Sequence, residues 1–180
     1  MMPSKRLGTV LESLADSERY LFTPSDLQGI FPGRRDLSVV LSRAQASGLL
    51  RRVCRGVYLY PRVAYPKGRV LHHAAARLRA GYFNYISLES ALSDAGVISQ
   101  VPMGWLTLMS SGRSHVVDCG EFGRMEFVHT ARGPGQVAGE LVYDADCRLW
   151  RASVKLAMRD MRATRRILDL VNSEMLRELV

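Results

Sequence analysis

Nine side chains able to bind an anion or a base edge fall within one short stretch: Arg34, Arg35, Ser38, Ser42, Arg43, Gln45, Arg51, Arg52 and Arg55. The guanidinium of Arg is a planar donor fork that fits a guanine edge or a phosphate, the Gln amide can bond adenine, and Ser reaches either bases or backbone. The chemistry expected of this set is recognition of double-stranded DNA rather than bond making. The alternative is a solvated basic rim on a module that binds protein.

Other constellations carry less. His72 and His73 are adjacent, and neighbours on a helix point about 100° apart, which makes a poor pair of metal ligands. His115 and Cys119 stand four apart in an expected strand and turn without a partner carboxylate, and His129 stands alone. Ser111-Gly112-Arg113-Ser114 has the outline of a nucleotide-transferase loop, but the paired aspartates that would hold its metal do not follow. Phosphate loop, dinucleotide fingerprint, His-Glu-x-x-His and nucleophile elbow are all missing from the sequence. The expectation is therefore a protein that is not an enzyme and takes neither metal nor cofactor. Cys54, Cys119 and Cys147 are odd in number and widely spaced, which fits reduced thiols in a cytoplasm. Cys54 lies between Val53 and Arg55, where positive charge could lower its pKa and make it a redox sensor, against the plainer reading of a half-buried cysteine.

The elements that must position the basic set can be read from spacing. Leu7, Val10, Leu11 and Leu14 recur at helical intervals and Ser4 is a cap, so a first helix spans 5–15. Thr23, Pro24 and Asp26 start a second, short helix that Pro32-Gly33 ends. A third runs from about Arg34 to Ser47, with Leu37, Val40, Leu41 and Ala44 on one face and Gly48 at the C-terminal cap. Arg35, Ser42 and Ala46 point the opposite way, with Ser38 and Arg43 on the flanks. Leu49 to Tyr60 then gives two β-prone runs joined through Arg55-Gly56. Three helices followed by a basic hairpin predict a winged helix-turn-helix over 1–62, whose helix fits the major groove while the hairpin holds phosphates.

Pro61 to Gly68 reads as a linker to a second, α+β domain over 69–180. Its expected elements are a helix over Val70–Arg79, a strand over Tyr82–Ile86 and a helix capped by Ser87 that stops at Gly96. Extended segments follow near Trp105–Ser110, Ser114–Asp118, Arg124–Thr130 and Glu140–Tyr143. The tail from about Cys147 to Leu179 reads as helical, broken near Asn172. On it Arg148, Arg151, Lys155, Arg159, Arg162 and Arg166 fall at steps of three and four, a basic stripe opposite Trp150, Val154, Ala157, Met161 and Leu168. Such a stripe is a solvated face, an added phosphate-binding surface, or a dock for an acidic partner.

Length and charge set the outer bounds. The chain has 180 residues, 47% hydrophobic and 23% charged, enough for one ordinary domain or two small ones. Its net charge of +8 is uneven: residues 1–70 carry 12 Lys+Arg against 5 Asp+Glu, and residues 71–180 carry 13 against 12. The excess at the front favours an anionic partner there. No continuous apolar core of a signal peptide follows Lys5 and Arg6, and the uncharged stretch Ala95–Gly112 is broken by Gln100, Pro102 and glycines, so neither export nor membrane insertion is expected.

The run from Leu41 to Tyr58, in which a helix is followed by Gly48-Leu49-Leu50, a basic strand and Arg55-Gly56-Val57-Tyr58, resembles the N-terminal winged-helix module of AbiEi-family antitoxins. Tyr85-Ile86-Ser87-Leu88-Glu89-Ser90-Ala91-Leu92 to Gly96-Val97-Ile98, with Pro102 shortly after, is similar to the segment that opens that family's antitoxin domain. The resemblance covers about residues 5–130, and the tail Arg148–Asn172 departs from it. It implies an antitoxin of a two-gene type IV toxin-antitoxin system, a nucleotidyltransferase-like toxin as partner, and repression of its own promoter through inverted repeats. A stand-alone repressor with a ligand-sensing domain is the alternative; a nucleic-acid-modifying enzyme built on the α+β half is disfavoured by the missing motifs.

Overall fold

Leu7 and Leu11, one helical turn apart, are buried inside α1 (Pro3–Leu14), which starts ahead of the expected cap because Pro needs no hydrogen-bond acceptor in a first turn. The computed structural model describes residues 3–31, 34–98 and 103–166, with backbone alone at Pro3, Ser4, Arg34 and Arg35. The Pro32-Gly33 stop, Leu168 and the break near Asn172 lie outside the described residues. The chain divides into two compact units, Met1–Val70 and Leu71–Val180.

In the first unit α1 leads to β1 (Leu21–Phe22), α2 (Pro24–Leu27), α3 (Arg34–Ala46), β2 (Arg51–Cys54) and β3 (Val57–Leu59). Thr23 starts α2 by donating its backbone N–H to Asp26 Oδ2 at 2.6 Å and its hydroxyl to the same oxygen at 2.9 Å. At the other end of α3, Gly48 adopts φ +72°, a conformation that costs a Cβ-bearing residue strain. Leu50 N–H then donates to Ala44 C=O at 3.1 Å, which turns the chain back into β2. Leu7, Leu11, Phe22, Leu27, Leu41 and Leu50 join one apolar cluster between the helices and the sheet.

The sheet has the antiparallel order β1-β3-β2, and β1 is an addition to the expected hairpin. Leu21 and Phe22 pair with Leu59 and Tyr58, and Tyr60 N–H extends the ladder to Tyr20 C=O at 2.8 Å. Two residues are too few for alternation to announce a strand. Cys54 is buried at 3% exposure, which corrects the redox-sensor reading: a sensor thiol must reach solvent. Residues after Pro61 also differ from a free linker. Val63 packs on the apolar cluster and Tyr65 stacks on Tyr20 with ring centroids 5.0 Å apart, so the change of unit falls after Val70.

In the second unit α4 (Val70–Leu78) precedes β4 (Asn84–Ile86), α5 (Leu88–Asp94), β5 (Trp105–Ser110), β6 (His115–Asp118), β7 (Arg124–His129), α6 (Pro134–Val137), β8 (Leu141–Asp144), β9 (Leu149–Ala152) and α7 (Val154–Ala163). One mixed sheet runs β6-β7-β5-β4-β9-β8, with β5 parallel to β7 and β4 parallel to β9. α5 and α7 pack on one another. Ile86, Leu88, Phe127 and Leu156 are fully buried. The whole is mixed α+β, with β5 to β8 close to the expected positions.

The tail needs correction. Cys147 N–H donates to Asp144 Oδ1 at 3.0 Å and Arg148 takes φ +58°, so a turn and then β9 occupy the stretch that reads as the start of a helix. The helix begins only where Ser153 Oγ accepts the Leu156 N–H at 3.1 Å. Arg148, Arg151 and Trp150 therefore do not belong to a helical stripe with Lys155, Arg159 and Arg162, and Arg166 follows α7.

Candidate nucleic-acid interface

The buried residues of α3, Leu37, Val40, Leu41 and Ala44, recur at steps of three, one and three and leave Ser38, Val39, Ser42, Arg43, Gln45 and Ala46 exposed. Besides Ser38, Ser42, Arg43 and Gln45 the outward surface carries Val39 and, in the first turn, the exposed acid Asp36, so its C-terminal two turns are the part free of acids that a groove can approach closely. Arg34 and Arg35 form its first turn, where an anion also meets the helix N-terminus. Their side chains are outside the described set.

The hairpin separates its three arginines. Arg52 stands opposite Tyr58 and Arg51 opposite the fully buried Leu59, and consecutive strand residues point to opposite faces. Arg52 is exposed and Arg51 is half-buried. Arg55 is exposed at the tip, where Gly56 takes φ +88°. Tyr58 shares a face with Arg52 but, opposite the buried Phe22, packs against the apolar cluster rather than joining the exposed surface.

In the second unit three of the six C-terminal basic residues are held by acids. Arg151 pairs with Asp94 and with Asp144, the latter at 2.7 Å. Arg159 Nη2 meets Glu140 at 2.8 Å, and Arg166 spans Glu89, at 2.8 Å, and Glu126. Burial opposes the charged form of Arg151 and Arg166, but the carboxylates bonded to them raise both above the usual arginine value. Burial likewise works against the Asp144 carboxylate, but hydrogen bonds from Arg151 and the Cys147 backbone outweigh it and hold the group well below its ordinary 3.8. The exposed cations of the set are Lys155 and Arg162, seven residues apart and so on one side of α7.

Beneath them lies Asp160, fully buried on α7. Its Oδ2 accepts from Ser87 Oγ at 2.7 Å and from the Tyr85 hydroxyl at 3.0 Å, and Oδ1 meets the Arg132 guanidinium. Burial first, and the Asp160 charge second, push the Tyr85 phenol far up, so it stays protonated as a donor. With both oxygens occupied, Asp160 ties α7 to β4, to the Ser87 start of α5 and to the loop before α6. The sequence signal for it is an acid set within the apolar run Leu156-Ala157-Met158 and Met161.

The histidines are dispersed. His73 is buried with Nε2 at 2.8 Å from Asp146 C=O, His129 Nδ1 lies 3.0 Å from Gly112 C=O, and His115 is exposed on β6. Among the described residues no group of three His, Cys, Asp or Glu side chains could hold a metal ion. No helix of the described residues is long and apolar enough to cross a membrane.

A helix that presents Ser38, Ser42, Arg43 and Gln45 outward beside an arginine-bearing hairpin fits a DNA-binding regulator. Residues 10–61, which contain α3 and the hairpin, match the family model described as "Transcriptional regulator, AbiEi antitoxin". Over that segment the AbiEi resemblance read from the sequence is supported. The second unit lies beyond the matched residues. No curated relative matches the chain.

Proposed function

We propose that this chain is the antitoxin of a two-gene toxin-antitoxin system that neutralises a nucleotidyltransferase-like toxin in the cytoplasm and represses its own promoter. The observation that carries the reading is the coincidence of the family match with the residues that present α3 and the basic hairpin. The order α1-β1-α2-α3-β2-β3 supports a winged helix, in which α3 enters the major groove of an inverted repeat and Arg52 and Arg55 hold the flanking phosphates. The second unit supplies neutralisation, in keeping with its near balance of charge.

Two assays test both halves. The chain is co-expressed with the neighbouring reading frame and growth is scored, and a reporter is placed behind its own promoter. Rescue together with repression supports the proposal. Repression without rescue, next to a gene that is not a nucleotidyltransferase, identifies a stand-alone repressor instead.

A further inference from the structure

Val39 breaks the pattern of its helix. A β-branched residue is stiff at χ1 and lowers helix propensity, so an exposed interior position normally goes to a straight-chain or polar side chain. Val39 occupies such a position in the middle of α3 and is 44% exposed. In the first unit only one other large apolar side chain of the described residues is comparably open, Leu14 at 37%, and it ends α1 rather than standing inside it. The apolar cluster takes the helical neighbours Leu37, Val40 and Leu41 and leaves Val39 out.

The direction of this side chain is as informative as its exposure. At about 100° per residue, Val39, Ser42 and Ala46 lie about 150–170° from the mean direction of the buried set Leu37, Val40, Leu41 and Ala44. They form the line of α3 farthest from the core, while Asp36 and Arg43 flank it on one side and Ser38 and Gln45 on the other. A helix seated in the major groove brings that outermost line nearest the base edges. The line holds one hydroxyl and no charge, and so lacks the paired donors and acceptors that read guanine or adenine. The apolar feature that base pairs present in the groove is the C5-methyl of thymine, which takes apolar side chains.

We infer that Val39 is a specificity-determining residue that packs its methyl groups on the C5-methyl of a thymine in the promoter. The stiffness that weakens the helix serves this contact, since the two methyls are held in one preferred rotamer before binding. Arg43, one turn on and displaced to the flank, is placed to take a neighbouring guanine or a phosphate. Val39 thus supplies a discrimination between thymine and the other bases that the charged and polar members of the helix do not. The inference rests on the proposed reading of the first unit as a promoter-binding module.

The full chain is titrated by fluorescence anisotropy against a duplex of its own promoter and against a series in which one thymine at a time is replaced by uracil, which removes the methyl and keeps the base pairing. For the parent, uracil at the contacted position should weaken binding roughly fourfold, the equivalent of one methyl-sized group left in water. Val39→Ala should weaken binding to the thymine duplex at least as much and should no longer distinguish uracil from thymine at that position. Its response to uracil elsewhere and its slope of log affinity against log salt should stay those of the parent, because no phosphate contact is lost. Since position 39 is exposed and Ala favours helix, the variant should keep the circular dichroism of the parent. A uracil series without effect on the parent, a methyl dependence that survives Val39→Ala, or duplex affinities untouched by that substitution, as for a valine that faces solvent or a protein, would overturn the inference while leaving promoter binding intact. A parent that binds its promoter no better than random duplex would instead remove the promoter-binding reading, and this inference with it.

Discussion

At the scale of single residues, the two surfaces of α3 assign different tasks to neighbouring side chains. Ser42 and Arg43 follow Leu41 directly, yet Leu41 is buried and the other two are exposed. Arg43→Ala, and Arg35→Ala on the same helix, should each weaken binding to the chain's own promoter by about 1–3 kcal/mol and weaken binding to random duplex less, as measured by competition titration. Equal losses on both duplexes would mean that these arginines hold phosphate and that base reading lies elsewhere. A second residue, Asp144, sets an acid limit on the fold. Its carboxyl is held below its ordinary 3.8 by Arg151 and Cys147, so its stabilising contribution is complete above that value and is lost as pH falls toward the lower folded value. The gap in urea midpoint between parent and Asp144→Asn should accordingly be full near neutral pH and shrink steadily below about pH 4. A gap that is constant with pH would show that the charge of Asp144 does not stabilise the turn before β9.

At the scale of elements, the hairpin divides what looks like one basic cluster. Arg52→Ala and Arg55→Ala should each reduce the slope of log affinity against log salt by about one, the loss of one phosphate contact, whereas Arg51→Ala should change it less because Arg51 is half-buried. Three equal slopes would mean that the hairpin is not docked through its Arg52 face. Sequence periodicity located α3 and its Gly48 stop, the turn at Arg55-Gly56, the Ser87 start of α5 and most strands of the second sheet, because each carries a local marker that physics ties to one conformation. What it missed had no local marker. β1 exists through its partner β3, Tyr65 is fixed by Tyr20, and Asp160 by groups from β4 and the loop before α6. The C-terminal arginines misled for a related reason: steps of three and four occur by chance across the turn, β9 and α7, and only the Asp144–Cys147 bond and the Ser153 cap show where the backbone changes. The carboxylates that neutralise Arg151, Arg159 and Arg166 come from strands and helices up to seventy-seven positions away.

At the scale of the whole molecule, the two units carry separable work under the proposed function. A fragment of residues 67–180, cut after the Tyr65 contact so that neither core is opened, should still rescue growth from the toxin while failing to repress the promoter reporter. Loss of rescue by a fragment that is folded and soluble would assign part of neutralisation to the first unit. The strand order of the second sheet has a further consequence, in the timing of synthesis. β4 sits between β5 and β9, and β9 follows it by more than sixty residues, whereas the first unit's last strand ends at Leu59. A chain emerging from the ribosome can therefore complete its first unit while the apolar strand Asn84-Tyr85-Ile86 still lacks one neighbour, a pairing between distant segments that forms slowly and leaves an open edge meanwhile. The module that reads the promoter would then be competent before the one that restrains the toxin. Any interruption of translation between β4 and β9 would yield a chain able to repress the promoter yet, with its second sheet unfinished, readily cleared by proteases.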